Sequence, residues 1–161
     1  MNKRYISLLI ICLFGCMLCM SVVCAKDSMK NQKFGNEFKM DVPKNSNFAQ
    51  QARESDENET VPFDEKLYFD EKNQIAVEYI NSSVFSNNTA IFCQVFFESV
   101  NADLNKSYEY QEGDLRVMEP VSKSSSYFSV VGKGSGNKFV MLSGQDVSLM
   151  KKMAHSIEFN N

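Results

Sequence analysis

YFSVVGKGSGNKFVMLSGQDVSLMKKMAHSIEF, residues 127–159, is the stretch whose reading decides the fold. Tyr127–Val131 and Lys138–Leu142 are two β-rich runs on either side of Gly132-Lys-Gly-Ser-Gly-Asn137. Gly and Asn accept the positive φ that tight hairpin turns require, so this segment predicts a hairpin. Ser143-Gly144-Gln145-Asp146 then opens a helix in which Leu149, Met153 and Ile157 form one stripe with Met150 and Ala154 beside it. Asp146 or Ser148 is suited to cap its first turn. A hairpin followed by an amphipathic helix fits an antiparallel sheet with a helix laid over it, which is an α+β arrangement.

The pattern continues upstream. Ser107–Gln111 and Leu115–Met118 flank the turn Glu112-Gly113-Asp114, and Pro120 ends the second run. In 84–102, Phe92, Phe96 and Val100 recur every four residues, as do Ile91 and Val95, which predicts a helix capped by Asn87 or Asn88. Lys66–Phe69 and Ile75–Ile80 enclose a short polar turn and read as another hairpin, with Ile75, Val77 and Tyr79 on one face. Glu54 to Thr60 reads as an acidic loop, and Asn45 to Arg53 as room for a short helix. Phe38-Lys-Met40-Asp-Val42 alternates with period two and stops at Pro43, a half-buried strand. Residues 26–35 are polar and read as a linker, which places a single α+β domain at 36–159. The expected architecture is an antiparallel β-sheet flanked by helices.

Residues 1–25 have a different character. Lys3 and Arg4 precede an uncharged run from Tyr5 to Val23, about 19 residues long. Val23-Cys24-Ala25 offers small residues where signal peptidase needs them, so cleavage after Ala25 is the first reading. The run is also close to the length that spans a bilayer, so an uncleaved anchor is the alternative. Both readings place the domain outside the cytoplasmic membrane, with membrane contact only through residues 5–23 if they are retained. A lipid-modified Cys16 or Cys24 is a weaker fit, since Val23 precedes Cys24 and cleavage at Cys16 leaves an apolar stretch behind. Cys93 is the one Cys beyond this segment and has no internal disulfide partner. Its neighbours, Ile91 to Phe97, mark it as a buried small hydrophobe.

Charge excludes one class. Without residues 1–25 the chain keeps 15 basic and 20 acidic residues, a net charge of −5, whereas nucleic-acid binders show a basic face. One His and one Cys in that remainder nearly exclude a zinc site.

Phe38-Lys-Met-Asp-Val-Pro43-Lys-Asn-Ser-Asn-Phe48 resembles the strand, Val-Pro, polar and aromatic opening of PsbP-like domains. Asp146 to Phe159, with its Ser156-Ile-Glu-Phe159 close, resembles that family's terminal helix and ending. The resemblance covers about residues 36–159 and rests on packing motifs at its two ends. It implies a PsbP-like α/β/α sandwich of the kind also found in exported DcrB-like lipoproteins and accessory subunits of photosynthetic complexes. Most such domains act as binding or assembly modules. The chain is also similar to small exported proteins of AT-rich prokaryotes.

Candidate chemistry weighs little against packing. Gly132 to Gly136 has neither the Lys-Ser/Thr spacing nor the following helix of a phosphate loop. His155 lies in the last helical turn without a Ser or Cys context for nucleophilic catalysis. Glu54, Asp56, Glu57 and Glu59 lack the register of a calcium loop and read as solvated, as do Asp64-Glu65 and Asp70-Glu71. Met40, Met118, Met141, Met150 and Met153 suit core positions better than a binding groove. Asn58, Asn81, Asn87 and Asn105 begin glycosylation sequons, of which Asn58 and Asn81 are expected to be the more accessible. No residue is assigned a catalytic, cofactor-binding or metal-ligating role. The expected function is an exported, non-enzymatic binding or assembly module with an envelope or extracellular protein partner. The alternatives are a carrier of a small hydrophobic ligand between sheet and helix and, further off, a hydrolase.

Overall fold

The computed structural model describes residues 28–51, 63–84, 86–101, 106–122 and 126–160. The signal or anchor segment with Ala25, the acidic loop with Asn58, and Asn105 lie outside the described residues. The elements are β1 (Met29–Phe34), β2 (Phe38–Pro43), β3 (Ala49–Gln51), β4 (Phe63–Asp70), β5 (Ile75–Ser82), α1 (Thr89–Val100), β6 (Ser107–Glu112), β7 (Leu115–Pro120), β8 (Ser129–Ser135), β9 (Lys138–Gly144), α2 (Val147–His155) and β10 (Glu158–Phe159). They form two antiparallel sheets, one of seven strands in the order β3-β4-β5-β9-β8-β7-β6 and one of three in the order β1-β2-β10. The fold is therefore mixed α+β with antiparallel sheets.

The period-two pattern decides which helix covers which face of the large sheet. Val131, Val140 and Leu142 point one way and join Met150, Met153, Ala154 and Ile157 of the α2 segment. Val130, Phe139 and Met141 point the other way and join Phe92, Cys93 and Phe97 of α1. β8 and β9 are thus apolar on both faces, as strands between two layers must be. Burying one such Val or Leu is worth about 1.5–3 kcal/mol, more than most caps or turns, so the buried pattern fixes the register. The small sheet lies on the α2 side, where Phe34 stacks on Phe38 at 4.8 Å and meets Tyr68 edge-on at 5.1 Å.

Both prolines that close strands sit where no amide hydrogen is needed. The Val121 N–H donates to Lys106 O at 3.3 Å, so the neighbouring Ser107–Pro120 pair falls at a non-bonded position of the ladder. Lys44 N–H donates to Ser28 O at 2.9 Å, and the Met29–Pro43 pair is placed likewise. Ser156 Oγ accepts from Asp41 N at 2.7 Å and donates to Met153 O at 2.6 Å, tying the end of α2 to β2 just beyond the reach of β10.

Three sequence expectations need correction. Residues 29–34, read as part of a linker, form β1, because β2 offers them a complete ladder and Phe34 a place in the core. Residues before 36, from Met29 on, are therefore part of the sheet structure. The short helix expected within 45–53 is replaced by β3, whose Ala49–Gln51 pairs with Leu67–Phe69 of β4. The turn read as 132–137 is tighter, since β8 runs on to Ser135 and β9 starts at Lys138. Gly132 and Gly134 lie in the strand where neighbours leave little room for a side chain, the Met141 sulfur at Gly132 and the start of α1 at Gly134. A Cβ on Gly134 would lie 2.2 Å from Thr89 Oγ1.

Candidate functional site

α1 is capped by Asn88, whose side-chain oxygen accepts from Ile91 N at 3.4 Å. Asn87 ahead of it takes φ 60°, a left-handed conformation that Asn tolerates. The helix is apolar on more than its buried face. Phe92, Cys93 and Phe97 pack inward, while Ile91 is 40% and Val95 58% exposed one turn apart on the outside. A surface helix ordinarily turns polar residues outward, so this apolar stripe marks α1 as unusual.

α1 packs on β7, β8 and β9. Beyond its C-terminal end a groove of about 310 Å³ opens between the helix and the sheet. Phe69 of β4, Ala76 of β5 and Ser143 of β9 lie in register along the sheet as its floor, with Gln74 at the rim. Val100 and Phe128 form the opposite wall. Asn101 holds that wall. It is 4% exposed, its Nδ2 donates to Phe97 O at 3.0 Å and to Phe128 O at 2.8 Å, and its Oδ1 accepts from Phe128 N at 2.8 Å. Ser143 is 5% exposed and lines the groove, and its oxygen is not among the sealed, unpaired polar atoms of the described residues.

Two polar clusters lie elsewhere. At the β6–β7 turn Glu112 meets Lys151 at 2.7 Å and His155 Nε2 at 3.6 Å, and Asp114 meets Lys133 at 3.1 Å and His155 Nδ1 at 3.9 Å. The Lys151 hydrogen bond, helped by His155, holds the Glu112 carboxyl below its ordinary range. The same bond raises Lys151. This cluster docks a turn onto the end of α2, and it places His155 between two carboxylates. In the second cluster Glu37 bonds Lys66 and raises its ammonium above the usual value. Among the described residues Glu37 Oε2 and the Tyr68 hydroxyl are buried there without hydrogen-bond partners, and burial raises the Tyr68 phenol.

The remaining candidates fall into place singly. Cys93 is buried, and desolvation pushes its thiol up to about 12. Asp70, expected in solvent, is 1% exposed. It accepts from Asn47 N, Lys72 N and the Asn73 amide and so organises the β4–β5 turn, a role its Asp-x-x-Asn context already suited. Met40, Met141, Met150 and Met153 are fully buried and Met118 is 6% exposed. Asn81 and Ser83 of one sequon are both exposed. Asn87 is exposed, but Thr89 of its sequon is half-buried against Gly134. Among the described residues no group of three or more His, Cys, Asp or Glu is placed to hold a metal ion. The sequence reading did not find Ser143, Val100, Phe128 or Asn101 as a site. Only the Asn at the helix end signalled a cap.

No protein-family model, no curated protein and no solved structure matches this chain.

Proposed function

We propose that the chain is an exported, non-enzymatic binding module of the cell envelope, working outside the cytoplasmic membrane on a protein partner. The observation that carries this reading is the apolar outer stripe of α1, Ile91 and Val95, at 40% and 58% exposure. Exposed apolar side chains next to each other on one helix are what a partner would cover. The groups that chemistry would draw on are engaged in packing instead, His155 in a surface ion cluster and Cys93 in the core. The PsbP-like α/β/α sandwich belongs to the same proposal. A central antiparallel sheet with α1 on one face and α2 on the other supports it, as does the way Ser156 and Phe159 fasten the chain to β2.

The test is a photo-cross-linking side chain placed at Val95 and, as a control, at Lys152 on α2, in intact cells. One reproducible envelope component captured at position 95 and absent at position 152 supports the reading. Silence at both positions in folded, exported protein overturns it. Protease digestion of intact cells tests the location independently, since an extracytoplasmic domain is cut or shed without lysis.

A second reading, a carrier of a small hydrophobic ligand, is favoured by one specific observation, the groove between α1 and the sheet.

A further inference from the structure

We infer that the groove behind α1 binds a small, mostly apolar molecule that carries one hydrogen-bonding group, and that Ser143 is the residue that recognises that group. This rests on the second, ligand-carrier reading and gives it a ligand class. The first argument is size. The groove, at about 310 Å³, is twice the ~150 Å³ apolar cavity that accepts one benzene, and it lies at the lower end of small-molecule pockets. The second is lining. Phe69, Ala76, Val100 and Phe128 present carbon, so an entering molecule gains by leaving water.

The third argument is the hydroxyl on the floor. Buried polar groups are ordinarily paired, and leaving one unpaired costs free energy. Ser143 sits between Ala76 and Val130 across the sheet and lines the groove at 5% exposure, with its oxygen open to the groove rather than sealed in the core, so a hydrocarbon that displaces solvent there would leave it unpaired. A ligand hydroxyl, carbonyl or carboxylate would complete it, whereas a bare hydrocarbon would not. The fourth is preorganisation. The three hydrogen bonds of Asn101 fix Val100 and Phe128 before anything binds, so little ordering cost falls on binding.

The test uses a matched pair of probes, 2-naphthol and naphthalene, with the full chain in the form its cell produces. Binding is measured by equilibrium dialysis and located by amide shifts in NMR. The expected result is saturable binding of 2-naphthol with shifts centred on Ala76, Val100 and Ser143. In Ser143→Ala the ratio of the two dissociation constants, naphthol over naphthalene, should rise roughly three- to tenfold, the loss of one neutral hydrogen bond. Ala76→Phe fills the groove and should abolish binding of both probes. Binding with an unchanged ratio in Ser143→Ala overturns the inference, and so does the absence of saturable binding or shifts centred elsewhere. If the probes fail while position 95 still cross-links an envelope component, the ligand is refuted and the binding module stands. The converse result separates them the other way.

Discussion

Replacing Asn101 with Ala should cost the fold about 3 kcal/mol. The side chain makes three hydrogen bonds and is 4% exposed, so water does not replace what is lost. Phe97 O keeps a second donor, the Asn101 backbone N–H at 3.1 Å. Phe128 N and Phe128 O lose their Asn101 partners. Two half-buried orphans, each costing about 1.5 kcal/mol within the roughly 1–3 kcal/mol range, give the estimate, and for a domain of this size that is a drop of roughly 10 °C in Tm. Asn101→Asp sharpens the argument. The carboxylate can still accept from Phe128 N, but it faces the Phe97 and Phe128 carbonyl oxygens, and Phe128 O is left needing a donor. Only the protonated form supplies one, so the folded-state pKa of the new Asp is raised above its unfolded value of about 3.9. A group shifted in that direction contributes stability when protonated and loses it as pH rises. The variant should therefore lie close to wild type at pH near 4 and well below it at pH 7.5. Urea unfolding at both pH values, each against wild type, reads this directly. A cost under about 0.5 kcal/mol for Asn101→Ala, or an Asn101→Asp penalty that ignores pH, refutes the assigned role.

Three further outcomes follow from the same structure. Gly134→Ala should destabilise by about 1–3 kcal/mol and Gly132→Ala by less, because the first meets Thr89 Oγ1 at 2.2 Å and the second the flexible Met141 sulfur at 2.7 Å. Thr89→Ala should recover part of the Gly134→Ala loss in a double-mutant cycle by urea unfolding. Cys93, with its thiol pushed up to about 12, should react with iodoacetamide at pH 8 only when denaturant opens the core, as peptide mass spectrometry would show. Fast labelling of the native chain would contradict its placement. Glu112→Gln should remove stability that is present above the ordinary carboxylate value of 4.5 and fades as pH falls through the lowered folded-state value. Denaturation midpoints of the variant and wild type should then converge in acid.

What could be read in the sequence was whatever local pattern controls. Phe38 to Val42, Ile75 to Ile80 and the 107–142 runs alternate or turn in ways that backbone geometry enforces, and they form the strands expected of them. α1 was legible because Phe92 and Phe96 repeat at helical spacing next to a capping Asn. β1 was not legible, since MKNQKF is polar and becomes a strand only because β2 offers it partners. Gly132 and Gly134 pointed to a turn on propensity. Their actual reason, the approach of Met141 at Gly132 and of Thr89 at Gly134, is tertiary. The groove has the same character. Phe69, Ala76, Val100, Phe128 and Ser143 come from separate elements, and no spacing in the chain relates them.

The seam between β5 and β9 has a consequence in time. Val77 faces Leu142 there, and Phe38 faces Phe159 in the small sheet, so both sheets are closed by partners far apart in the chain. The β4–β5 hairpin and the β6–β9 meander can each form from near neighbours, whereas joining them requires closing a long loop. A chain still unfolded therefore keeps its late-pairing strand edges open until residue 159 is available, and the interval before β10 docks is when it is most exposed to aggregation.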